Sequence, residues 1–116
     1  MRRILQGRVF TMSDHKITVD AVLNNWLAGT VDKLPYAVKV CDEKSEYGID
    51  KGRIIKLYLF TVDSDIEIVT YERGWIKYPA IKYGDSMDAL IAYCEELPPA
   101  AGWDFRFNQK TYSKRI

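Results

Sequence analysis

The densest run of ionisable side chains is "CDEKSEYGIDKGRI", Cys41 to Ile54, with four carboxylates, two glycines and a cysteine in fourteen residues. Such a run could grip a cation, hold a paired acid and base, or cradle a phosphate. A calcium loop of the EF-hand type needs oxygen ligands at its first, third and fifth positions, a glycine at the sixth and a glutamate at the twelfth. Counted from Asp42, those later positions hold Lys44, Glu46, Tyr47 and Arg53, so the match fails. Two-carboxylate chemistry needs acids at a fixed separation on a rigid frame, one of them partly buried to raise its pKa. Asp42, Glu43, Glu46 and Asp50 are instead interspersed with lysines. "GIDKG" lacks the long glycine loop and lysine–serine pair of a P-loop. The stretch reads as a solvated connection between strands that presents a polar rim, with Gly48 and Gly52 permitting turns.

Other reactive side chains are sparse. His15 follows Asp14 and Ser13, but triads are assembled from distant segments rather than from neighbours. Cys41 and Cys94 lie 53 residues apart with no CxxC pair, and a single histidine leaves no zinc-type cluster. Both thiols are expected free, Cys94 as a small core residue and Cys41 at a strand end. The expectation is a protein that is not an enzyme, with no catalytic residue, no metal and no cofactor.

The elements that must position any site follow from periodicity. "NWLAGTV" and "YAVKVC" read as strands split by a hairpin at Asp32 to Pro35. "RIIKLYLFTV", Arg53 to Val62, is the strongest strand. Strict alternation puts Ile55, Leu57 and Leu59 on one face and Ile54, Lys56, Tyr58 and Phe60 on the other. "DSD", Asp63 to Asp65, reverses the chain into "IEIVTYE". "DSMDALIAYCEELPP" reads as a helix capped by Asp85, with Met87, Leu90, Ile91, Cys94 and Leu97 on one apolar stripe. Pro98 and Pro99 stop it. The expected fold is α+β: a three- to four-stranded antiparallel meander with the helix packed on one face. A single domain spans the 116 residues. Residues 1–25 form an N-terminal extension, 26–97 the core, and 98–116 a C-terminal arm or edge strand. "SDHKITVDAVLNN" fits a helix or a strand; strand, turn and short helix is the favoured reading. Trp103, Phe105 and Phe107 alternate along an extended segment.

Charge is unevenly laid out. Arg2, Arg3 and Arg8 open the chain, and Arg106, Lys110, Lys114 and Arg115 close it, while residues 9–104 carry a net charge of −6. The basic ends are solvated tails or halves of one patch. No apolar run is long enough to span a membrane, and "MRRILQGRVF" has no signal-peptide core, so a cytoplasmic location is expected with no membrane partner.

The aromatic content, 13% of the chain, is the stronger lead. Tyr58, Phe60, Tyr71, Trp75, Tyr78 and Tyr83 fall around the third and fourth strands and the segment after them. Tyrosine and tryptophan give large contact area at low entropic cost. The candidate binding residues are Tyr58, Phe60, Tyr71, Arg73, Trp75, Lys77 and Tyr78, with Trp103, Phe105 and Arg106 from the arm. Two classes of partner compete. One is another protein, or a second copy of the chain, on an aromatic surface. The other is a nucleotide, a small nucleotide signal or a nucleic acid, held by Arg73, Trp75, Lys77 and the basic ends. Trp75 and Ile76 could also fold back as an apolar plug on the sheet edge. The acidic body weighs against phosphate-backbone binding.

"WLAGTV" (Trp26 to Val31), "SEYGIDKGRI" (Ser45 to Ile54) and "RGW" (Arg73 to Trp75) together resemble a group of small uncharacterised proteins from phages and mobile elements of Gram-positive bacteria. The likeness covers roughly Trp26 to Leu97. It implies an accessory gene product, for which modulating or inhibiting a host protein is a fitting role. It carries over no functional residue.

Overall fold

The computed structural model describes residues 15–103. Six strands run in sequence order through one antiparallel sheet: β1 (Ile17–Leu23), β2 (Trp26–Val31), β3 (Leu34–Val40), β4 (Ile54–Phe60), β5 (Glu67–Glu72) and β6 (Trp75–Lys77). One helix, α1 (Ile81–Glu95), lies across β2 and β4 on one face. This is the α+β class expected from the periodicity, with two more strands. β1 takes up part of the stretch read as an N-terminal extension, with no short helix after it.

Local chemistry explains the hairpins. Asn24 and Asn25, at φ 52° and 70°, form the two-residue link between β1 and β2; Asp32 and Lys33, at 51° and 74°, do the same between β2 and β3. Two successive left-handed residues match the twist of the flanking strands, and Asn and Asp tolerate that region best. At Gly29, a Cβ would stand 2.1 Å from the Thr18 carbonyl oxygen. Only glycine lets β1 come that close.

Leu27, Val31, Val38, Val40, Leu57, Leu59 and Val69 point into the core, where they meet Met87, Leu90 and Cys94 of α1. Full burial of each large aliphatic side chain contributes about 1.5–3 kcal/mol. Strict alternation in β4 does not hold. Lys39 pairs with Lys56 but Val40 pairs with Ile54, so Ile55 is bulged and Ile54 turns into the core with Leu57 and Leu59. A second bulge, with Leu59 opposite Val69 and Phe60 opposite Glu67, leaves Ile66 exposed. One extra residue switches the face of everything before it.

The helix begins five residues earlier than an Asp85 cap would set it. Ala80 is the N-cap and supplies no side-chain bond. The added turn is held by Tyr83, which packs on the core one turn before Met87 on the same stripe. That packing offsets the roughly 1 kcal/mol that Gly84 costs inside a helix.

Candidate functional site

The acid-rich stretch is an ordered clasp. Its key is Arg53, only 8% exposed. Its Nε donates to the Cys41 carbonyl at 2.8 Å and Nη2 to the Pro98 carbonyl at 3.0 Å. Nη1 donates to the carbonyls of Glu95, at 3.3 Å, and Leu97. The Arg53 backbone N–H donates to Glu95 Oε2 at 2.8 Å. A helix leaves its last carbonyls unpaired and its C-terminus partially negative. Arg53 answers both, fastening the end of α1 to the connection between β3 and β4. Asp42 adds a second tie, accepting from Ala100 N–H at 2.9 Å and Asn25 Nδ2 at 3.1 Å. Those bonds, the Ala100 one foremost, hold its carboxyl below the usual value of 3.8.

The loop folds tightly on itself. A Cβ on Gly48 would stand 2.1 Å from the Gly52 carbonyl oxygen, a backbone atom that cannot step aside. Gly48→Ala is expected to destabilise the fold by about 1–3 kcal/mol in urea titrations. Gly74→Ala, where no neighbour lies within 4 Å of the new Cβ, should cost much less. Equal losses would remove the close-approach explanation. Beside the loop lies a cleft of about 250 Å³ lined by Lys44, Ile49, Asp50, Lys51, Gly52, Ile91 and Glu95. Among the described residues no group of three or more His, Cys, Asp or Glu is placed to hold a metal ion.

His15 does find distant partners. Its Nδ1 is 2.6 Å from Asp32 Oδ2, and Ser86 Oγ donates to that same oxygen at 2.6 Å. Lys16 N–H donates to the other oxygen at 3.0 Å. A nucleophilic relay needs serine bonded to histidine. Here both converge on the carboxylate, so the hydroxyl faces a weak base, and the cluster ties the start of β1 and the helix to the β2–β3 turn. Ser13 and Asp14 lie outside the described residues. Burial alone would raise the Asp32 carboxyl, but the bonds from Ser86, His15 and Lys16 hold it below 3.8. A depressed folded pKa stabilises above the unfolded value and loses that stabilisation as pH falls through the folded one. Asp32→Asn should therefore melt below the parent at neutral pH, and the gap should close at pH values under 3.8. A gap that persists unchanged in acid would contradict this.

The candidate binding residues divide between the two faces of the sheet. Tyr71, Trp75 and Tyr78 form a ladder on the helix side of the β5–β6 edge. Tyr71 and Trp75 meet edge-to-face with ring centroids 4.9 Å apart, and Trp75 and Tyr78 likewise at 4.7 Å. Exposure rises along it, from buried Tyr71 to Trp75 at 43% and Tyr78 at 66%. Arg73, in the β5–β6 turn, lies over the Tyr47 ring at 4.4 Å, and the Tyr71 hydroxyl donates to the Tyr47 carbonyl at 2.8 Å. The plug reading of Trp75 and Ile76 is half met: Trp75 covers Tyr71, while Ile76 is 66% exposed.

Tyr58, Phe60 and Lys77 belong to the opposite face. Lys77 pairs with Thr70, next to Tyr58, and its Nζ donates to the Glu67 carbonyl at 2.7 Å. Arg73, Trp75 and Lys77 therefore do not converge on one ligand. The Tyr58 hydroxyl donates to Glu72; burial first, then that carboxylate, push its pKa up to about 12. Cys94 is fully buried, and burial pushes its thiol up, as expected of a core residue rather than a nucleophile. Both cysteines are free.

Trp103 is half-buried, with Nε1 donating to the Pro98 carbonyl at 2.6 Å, whereas Phe105 and Arg106 lie outside the described residues. Sequence reasoning missed Tyr47 and Arg53. Tyr47 had a faint signal, an aromatic beside a turn glycine; Arg53 looked like any cation at the start of a strand. No helix among the described residues is long and apolar enough to cross a membrane.

No curated protein and no solved structure matches the chain. A family model described as "Domain of unknown function (DUF7678)" matches residues 25–95. That span runs from the Asn25 hairpin to Glu95, the helix end that Arg53 fastens. It covers more than half of the sequence, and the chain belongs to this family.

Proposed function

We propose that the chain is a binding module that docks a protein partner on the β5–β6 edge, through Tyr47, Arg73, Trp75, Ile76 and Tyr78, and catalyses no reaction. The observation that carries this reading is the ring ladder, whose buried foot at Tyr71 holds Trp75 and Tyr78 in place before any partner arrives. Preorganised rings lose little entropy on binding, which is what an interface anchor requires. β6 is three residues long and bulged at Ile76. A short, bulged edge is a poor template for strand addition. Docking is by side chains.

The likeness to phage and mobile-element proteins supports a partner in the bacterial cytoplasm, a host protein that the chain modulates or inhibits. A photoreactive amino acid at Ile76, in Gram-positive cells, tests this. One dominant host-protein adduct, lost with Trp75→Ala, is the expected outcome. Adducts only between copies of the chain would replace a host partner with self-association, and adducts indifferent to Trp75 would overturn the site.

A further inference from the structure

The face of the sheet opposite α1 is covered by no described element. Its centre holds Lys39 and Lys56, which stand directly opposite each other on β3 and β4. Like charges in facing positions destabilise a sheet. Neither lysine has an ion-pair partner among the described residues. Glu72 is next in the row, opposite Lys56, but its carboxylate takes the Tyr58 hydroxyl.

Two aromatic rings flank this pair. Trp26 faces Lys39 from β2, and Tyr58 lies two residues beyond Lys56. The rings lie within 11° of parallel with centroids 6.2 Å apart, leaning over β3, where Ala37 faces Tyr58 and leaves room. Lys39 Nζ is 5.9 Å from the Trp26 centroid. All four side chains are half-buried, with part of each open to solvent.

We infer that this face binds single-stranded nucleic acid, with bases stacking on Trp26 and Tyr58 and the phosphodiester backbone neutralising Lys39 and Lys56. Parallel rings beside cations on an open sheet are what unpaired bases and their phosphates need. An acidic peptide would answer the lysines and leave the rings unused. The site is on the opposite face from the β5–β6 edge and stands independently of the protein-docking reading.

The test is fluorescence anisotropy with labelled oligothymidylate and oligouridylate at low salt, about 50 mM. Micromolar binding of at least one is expected. Lys39→Ala with Lys56→Ala should weaken it at least tenfold and make the salt slope shallower by roughly 1.4, the share of two phosphates on a single strand. Trp26→Ala should weaken binding at least fivefold. Trp75→Ala should leave it unchanged. The double-lysine variant, relieved of facing charges, should melt no lower than the parent, which separates lost binding from lost fold. Absence of binding, binding indifferent to the lysines, an equal loss with Trp75→Ala, or polyglutamate capture in place of both oligonucleotides would each overturn the inference.

Discussion

Arg53→Met is expected to destabilise the fold by about 3–5 kcal/mol in urea or guanidinium titrations. The substitution keeps much of the aliphatic bulk and deletes every guanidinium bond. The carbonyls of Cys41, Glu95 and Leu97 then lose this donor together, while the Pro98 carbonyl keeps the Trp103 indole N–H. Each orphaned buried carbonyl costs about 1–3 kcal/mol, less where water can enter. A domain of this size holds only about 5–15 kcal/mol in total, so the variant should be marginal. Arg53→Lys should recover less than half of the loss, because a point charge cannot serve divergent carbonyls as a planar fork does. Arg73→Ala, at an exposed turn, should cost under about 1 kcal/mol. An Arg53→Met midpoint within experimental error of the parent would show that the clasp does not hold the helix to the sheet.

Trp75→Ala is expected to weaken partner binding by about thirtyfold or more, the scale of a hot-spot anchor. Its effect on stability should be smaller, about 1–2 kcal/mol, because the ring is 43% exposed and loses mainly its contacts with Tyr71 and Tyr78. Tyr78→Ala should weaken binding by less, since Tyr78 supports the ladder only at its outer end. Titration of parent and variants against the cross-linked partner reads both. Unchanged affinity in Trp75→Ala, with the fold intact, would take the ladder out of the interface.

The strands from β2 to β5 and the apolar stripe of α1 were legible because each follows from spacing alone. The bulge at Ile55 was not. Nothing in "RIIKL" marks the residue that steps out of register, and the choice of Ile54 over Ile55 for the core is made by packing under α1. β1 was ambiguous because Ile17, Ala21 and Val22 fit a helical period while Ile17, Val19, Ala21 and Leu23 fit a strand period; pairing with β2 decides it. The binding residues were legible as residue types but not as a group. Alternation places Trp75 and Lys77 on the same face, and the bulge at Ile76 separates them. Arg53 and the Lys39–Lys56 pair were invisible for a related reason. Burial and facing positions belong to register and tertiary contact, not to local composition.

The docking claim is tested most directly by hydrogen exchange on the isolated chain and on the complex captured through position 76. Slowed exchange is expected at Tyr47 and Gly48 and from Glu72 to Tyr78, with the amides of Met87 to Cys94 unchanged. Protection confined to other segments, with the Glu72–Tyr78 amides exchanging as in the free chain, would contradict it.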